Sequence, residues 1–269
     1  MQLLPSIQLM SIIRHYLVLE SSQPGSFQHR LLPDGSTGLV LYYNSTAAAP
    51  DQPSVMQTSF YYGPIRHFRD VSFSGNLHLL VVVLQPAGIH GLTGMAAHEL
   101  SNHIISLSDL WGSDGRLLDE QVNQARNTEE RIRCVDFFLL KRLQNVSPVN
   151  RSVISVLQLL QQSGGSLPVK ELTQRTGIGE RQLERLFHQY IGLSPKQFAA
   201  IVKLQRTLKL LQHKTTHERL TDITYDVGYF DQAHFIREFK KQAGLPPKQY
   251  LGSTIRLALN FIRLVDGNA

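Results

Sequence analysis

Arg185 and Arg237 stand 52 residues apart in two stretches of chain that match each other. An arginine carries five donors in a planar fork, which suits bidentate contact with guanine O6 and N7 or with a phosphate group. Around the first, residues 176–198 read TGIGERQLERLFHQYIGLSPKQF. Around the second, residues 227–250 read VGYFDQAHFIREFKKQAGLPPKQY. A shift of 52 puts Phe187 on Phe239, Gly192 on Gly244 and Leu193 on Leu245. The same shift puts Pro195, Lys196 and Gln197 on Pro247, Lys248 and Gln249, and Phe198 on Tyr250. Upstream, Gly177 meets Gly228 with a shift of 51, so the copies differ by one residue at the turn. Two copies are too few for a solenoid and read instead as a duplicated supersecondary unit.

The elements that must position these arginines follow from the spacing. In the first copy, residues 169–175 form a short helix with Pro168 near its first turn, and Gly177 supplies the left-handed residue that ends it. Residues 180–190 form a second helix. Its Leu183, Leu186, Phe187 and Tyr190 recur at helical intervals and face inward. Arg181, Gln182, Glu184, Arg185 and His188 are left outside. In the second copy, residues 222–227 are the short helix, Gly228 is the turn, and residues 231–242 are the second helix, with Phe235 and Phe239 inward. Gln232, Ala233, Ile236, Arg237, Lys240 and Lys241 are then available outside, with His234 beside them. Ser194-Pro195 is an N-cap and first-turn pair. It opens a helix of about 18 residues, ~27 Å long at 1.5 Å per residue. Such a rod suits two helices reading adjacent major-groove faces ~34 Å apart.

Each outward residue has an alternative reading. Glu184 can accept from a cytosine amine or pair within its helix with Arg181 or His188. Ala233 and Ile236 can touch thymine methyl groups, and Ile236 can equally be part of a core. Lys203, Lys209, Lys240 and Lys241 suit phosphate or solvent better than bases.

Other chemistries find little support. His213 and His217 have the i, i+4 spacing of two metal ligands, with Glu218 next, but they fall where the long helix should end. His90 and His98 lack an obvious third ligand, and no metal or cofactor is expected. Cys134 is the single cysteine, which excludes a disulfide framework and any site needing several thiolates. Cys134 and Trp111 read as packing residues. No Gly-rich phosphate loop, nucleophile elbow or paired-carboxylate site appears, so an enzyme is not expected.

The 269 residues, 42% hydrophobic and 18% charged, suffice for two domains with real cores. The net charge of +6 is unevenly placed. Residues 1–150 hold 10 Lys+Arg against 12 Asp+Glu, and residues 151–269 hold 17 against 9. A basic half joined to a near-neutral half points to a polyanion partner on one side. No apolar run reaches the ~18–20 residues of a membrane span. The start reads as mature protein rather than a signal peptide, and a reducing cytoplasm is the expected location.

The first 100 residues read as β-rich. The runs 37–44 and 77–84 are strands bounded by turn formers at 33–35, 47–53, 63–64, 74–76 and 86–88. Residues 91–100 read as a short helix. Residues 129–143 read as a longer one, with Ile132, Val135, Leu139 and Leu143 on one face, a candidate dimer surface or a face packed on the strands. The boundary falls in residues 144–150. The expected division is 1–145, 146–252 and a tail, 253–269, apolar enough to pack somewhere.

The segment from about Ser152 to Tyr250 resembles the DNA-binding domain of AraC/XylS-type transcriptional regulators, on the strength of residues 227–250. The resemblance implies a bacterial regulator whose all-α domain holds two helix-turn-helix motifs joined by a long helix. It further implies that Arg181, Glu184 and Arg185 face bases from the first motif, and Ala233 and Arg237 from the second. Thr173 and Thr224 stand where the family usually has Ala. Gly179 and Phe230 replace a Ser-like cap, which should weaken the caps. The N-terminal half resembles, through residues 30–35, 63–64, 86–88 and 107–112, the sensor region of some of these regulators. That likeness implies a cupin-like β-barrel followed by helices. The fold class expected is therefore α+β, multidomain. The partners expected are double-stranded DNA, a small-molecule effector, RNA polymerase and a second copy of the chain.

Overall fold

The computed structural model describes residues 1–21, 26–43, 59–74, 76–144, 149–213, 219–252, 256–258 and 261–263. His217, Glu218, Pro148 and the turn stretch 47–53 lie outside them.

Among the described residues, ten strands form two antiparallel sheets. The first has the order β1 (Gln2–Leu3), β2 (Ile13–Ser21), β7 (Leu77–Leu84), β4 (Thr37–Tyr42), β5 (Phe60–Tyr62), β8 (Ile104–Ser106). The second has the order β6 (Arg69–Ser74), β3 (Ser26–Leu31), β10 (Phe261–Arg263), β9 (Arg256–Ala258). The run at 77–84 is thus a strand over the expected residues. Its continuous apolar sequence is explained by cover on both faces. Leu80, Val82 and Leu84, with Leu39, Leu41 and Tyr16, face a core shared with helices. Leu79, Val81 and Val83, with Val40, Tyr42 and Phe60, face the other way, together with Val71 of β6.

The helical side of the first sheet is built from α1 (Gly88–Thr93), a 3-10 turn (Ala97–Leu100), α2 (Leu107–Trp111), α3 (Ser113–Gln124) and α4 (Thr128–Leu143). The single helix expected at 91–100 is instead α1 and the 3-10 turn. Gly94, left-handed at φ +69°, ends α1 between them. On α4, Val135 and Leu139 are fully buried, and Ile132 and Leu143 pack on the same core. The apolar stripe that suggested a dimer surface is therefore used inside the fold. Trp111 stacks edge-on against Phe138 at 5.0 Å, and Cys134 is partly buried against the same core.

The C-terminal part contains α5 (Arg151–Gln162), α6 (Val169–Thr176), α7 (Glu180–Tyr190), α8 (Pro195–His213), α9 (Leu220–Asp226), α10 (Gln232–Ala243) and α11 (Pro247–Gly252). Its described residues form two apolar clusters. One gathers α5, α6, α7 and the start of α8 around Phe187 and Phe198. The other gathers the end of α8, α9 and α10 around Phe235, Phe239 and Tyr250. Leu32, from the N-terminal part, is buried in the second cluster. The tail returns to the strands: Phe261, Ile262 and Arg263 pair with Leu31, Arg30 and His29 of β3.

Candidate nucleic-acid interface

Both repeated units are a short helix, a left-handed glycine and a longer helix. Gly177 (φ +69°) closes α6 and Gly228 (φ +75°) follows α9. The helix α7 buries Leu183, Leu186 and Phe187 against its neighbours, as the spacing requires. Tyr190 is half-buried, its ring edge-on to His90 at 4.3 Å. The helix α10 buries Phe235 and Phe239. The long helix α8 between the units has 19 residues, ~28 Å at 1.5 Å per residue.

On α7, Arg181, Gln182, Arg185 and His188 are exposed and Glu184 is half-buried. The carboxylate of Glu184 lies 4.0 Å from His188 Nε2, one turn along the helix. On α10, Ala233, His234, Arg237, Lys240 and Lys241 are exposed. Gln232 is half-buried and accepts from the Thr221 hydroxyl at 3.2 Å. Ile236 is partly buried against the second helical cluster, so part of its side chain serves the core. Among the described residues, none forms an ion pair with Arg181, Arg185 or Arg237. Exposed, unpaired guanidinium groups on the outer faces of matched helices can bind phosphate or base edges.

The caps differ from expectation. Gly179 is the N-cap of α7 and provides no side chain to cap it. The N-cap of α10 is Asp231, not Phe230, and its carboxylate accepts from the His234 amide at 2.7 Å. The second helix is therefore conventionally capped. Thr173 and Thr224 bond back to Lys170 O and Leu220 O within their own helices, so the two hydroxyls are satisfied locally. Lys203 is not a free cation. Its ammonium donates to Gly228 O at 3.1 Å and lies 3.6 Å from the centre of the Tyr229 ring. Burial, with nearby Arg206, holds it below the usual lysine range. It ties α8 to the second turn, a role the spacing did not reveal.

Behind the helices lies a cavity of about 1290 Å³. Its wall includes the second face of the first sheet (Val40, Tyr42, Val81, Val83), Val71 opposite, and Phe198, Val202, Gln205, Arg206 and Lys209 of α8. Arg14, Asp34, Arg69, Arg206 and Lys209 are the charged residues lining it, four cations and one acid. Arg14 and Asp34 pair at 3.5 Å. Val81 and Val83 keep 8% and 6% of their surface, whereas Val82 and Leu84 between and beside them keep none. This face is apolar and buried against Val71, and it borders the cavity. Among the described residues, no group of three His, Cys, Asp or Glu could hold a metal ion, and no helix is long and apolar enough to cross a membrane.

Residues 172–253 match a family described as "Helix-turn-helix domain", and residues 1–106 match a "Domain of unknown function (DUF6597)". An uncharacterised HTH-type transcriptional regulator of Haemophilus influenzae is 32% identical over 96 residues, 36% of this chain and 32% of the relative. The regulator MtrA of Neisseria gonorrhoeae is 30% identical over 82 residues, 30% of this chain and 27% of its own. The activator RhaR of Yersinia pseudotuberculosis is 28% identical over 102 residues, 38% and 34% of the two chains. This chain thus spans about a third of the length of the curated relatives it matches. Among solved structures, ToxT of Vibrio cholerae is 12% identical with a TM-score of 0.47, over 88% of this chain and 97% of that one. An AraC family regulator of Rhodopseudomonas palustris is 27% identical with a TM-score of 0.35, over 38% and 96%. Duplicated helix pairs, outward arginines and the matched segment lead to one assignment: the C-terminal helical part of this chain is an AraC-type helix-turn-helix domain.

Proposed function

We propose that this chain is a sequence-specific DNA-binding transcriptional regulator, not an enzyme, in which α7 and α10 enter successive major-groove segments. Arg181, Gln182, Glu184, Arg185 and His188 would read or brace the first segment. Gln232, Ala233, His234, Ile236, Arg237, Lys240 and Lys241 would do so at the second. The observation that carries this reading is the matched, exposed placement of Arg185 and Arg237 on two units flanking one 19-residue helix. Phosphate contacts supply affinity and its salt dependence, and base contacts supply specificity. Division at residues 145/146 and 252/253, a cupin-like character for the paired sheets, and two reading motifs rather than one belong to the same proposal. So does a cytoplasmic location.

Selection of bound fragments from the source genome by the full chain at about 0.15 M salt tests it. The expected result is an enriched motif with two contacted segments about 10–10.5 base pairs apart. Equal recovery of all sequences would overturn it.

The cavity supports modulation by a small molecule. Apolar walls from one sheet and three more cations than acids in the lining suit an apolar body carrying an acidic group. Long-chain carboxylic acids should raise the melting temperature of the delipidated chain, and the matching alcohols should not. No rise with any acid would remove this part of the reading. RNA polymerase and a second copy stay expected partners, the latter on a surface other than the inward stripe of α4.

A further inference from the structure

The repeated units differ by one residue, and the structure locates it. Gly177 and Gly228 hold equivalent left-handed turns. Ile178 and Tyr229 follow them, and both pack inward. Gly179 and Asp231 are the N-caps of α7 and α10. The shift is 51 up to Tyr229 and 52 from Asp231 onward, so the residue without a counterpart is Phe230.

Phe230 is 90% exposed, more than any other large hydrophobic residue among those described. The fold makes no use of it. The neighbouring ring, Tyr229, is the one held by Lys203 and packed against Phe235, and the cap is made by Asp231. A single exposed apolar residue is ordinary on a protein surface; what sets Phe230 apart is that it has no counterpart in the first unit and adjoins the N-cap of α10. Its neighbourhood says which partner it suits. Phe230 stands directly before the helix whose outer face carries Ala233, Arg237, Lys240 and Lys241, in the half of the chain with 17 Lys+Arg against 9 Asp+Glu. That setting favours a polyanion over an apolar protein surface. In a major groove, the apolar feature within reach of such a ring is the thymine C5-methyl group.

We propose that Phe230 is an apolar DNA contact that gives the second unit a preference for thymine at the base pair facing the start of α10. This rests on the DNA-reading function proposed above.

The test uses the full chain and the fragments it selects. Each thymine in the selected motif is replaced in turn by deoxyuridine, which removes only the methyl group. At one position this should weaken the wild-type chain about fourfold, the equivalent of ~0.8 kcal/mol for one buried methyl. Phe230→Ala should bind thymine and deoxyuridine equally there, and Phe230→Leu should restore part of the difference. Phe230 is exposed, so all variants should keep the wild-type melting temperature. If Phe230→Ala keeps the full thymine preference, or weakens every fragment alike, the proposal is overturned. It is also overturned if Phe230→Ala alters sedimentation of the free chain and leaves DNA binding unchanged, because the ring then serves self-association. Failure of the underlying reading looks different: no motif is selected by any form of the chain.

Discussion

Gly192 and Gly244, equivalent in the repeat and both left-handed at φ +78° and +74°, each seat the N-terminal part where a β-carbon would stand. At Gly192 that space is taken by Ser101 Oγ and Ala97 O, and the Ser101 hydroxyl donates to Gly192 O at 2.7 Å. At Gly244 it is taken by the Phe68 ring and the Arg30 guanidinium, which also donates to Ala243 O at 3.4 Å. Between them, the side-chain amide of Gln205 on α8 donates to Pro33 O at 2.6 Å, and the Phe198 ring fills the space beside Gly35. The ends of α7 and α10 and the α8 rod that joins the two units are thus held by the N-terminal part. Residues 30–35 contribute to three of these contacts, through Arg30, Pro33 and Gly35, and Asp34 in the same loop lines the cavity.

Gly192→Ala should be far more costly than Gly177→Ala. Both pay about 1 kcal/mol for a side chain in the left-handed region. Gly177 has nothing within 4 Å of the added carbon, whereas Gly192 meets the carbonyl oxygen of Ala97 at 2.6 Å. A further ~1–3 kcal/mol is expected at Gly192 from the clash. Urea unfolding of the two variants measures the difference; equal losses would show that the contact at Gly192 carries no energy.

Arg237→Ala should cost ~1–3 kcal/mol on the selected DNA and relax specificity at one base pair. Binding to the motif and to its single-base variants reads both. Equal loss on unrelated DNA would mean that Arg237 meets only phosphate.

Lys240→Ala and Lys241→Ala should weaken binding to all sequences by similar factors. Each should reduce the slope of log affinity against log salt by about 1 where the ammonium meets a phosphate. A salt titration from low to physiological ionic strength checks this, and an unchanged slope removes that lysine from the interface.

Asp231→Ala should cost about 1 kcal/mol of stability, because the carboxylate at the start of α10 accepts from the His234 amide. Thermal melts of Asp231→Ala and Asp231→Asn measure it; the Asn variant keeps a capping oxygen and should melt close to the wild type, and equal losses would show that the cap is not the source.

Val81→Phe and Val82→Phe should differ sharply although the residues are neighbours on β7. Val82 has no exposed surface and faces the helical core, so the larger ring should cost ~1–3 kcal/mol. Val81 lines the cavity, which has room for the added atoms. Its variant should melt close to the wild type and lose the response to acids. Equal destabilisation would mean that the two faces are equally packed.

The helices that present the candidate site were legible because their pattern is local. Leu183, Leu186 and Phe187 recur at helical spacing, Gly177 and Gly228 announce the turns, and the repeat aligns Arg185 with Arg237. Exposure of those arginines follows from burial of the opposite face, which the same spacing dictates. Strand β7 was readable for a similar reason, as a β-branched apolar run between turns. What only the tertiary structure decided is non-local. Asp231 rather than Phe230 caps α10 because the cap depends on where the backbone turns, and a one-residue insertion hides that in the alignment. The ammonium of Lys203 is spent on the second turn because α8 passes beside it. The apolar run of β7 gives no sign that one face packs on helices and the other borders a cavity, since period-2 alternation disappears when both faces are apolar. The tail strand finds its partner in β3, some 230 positions away, where backbone groups of an open sheet edge accept whichever strand the fold delivers.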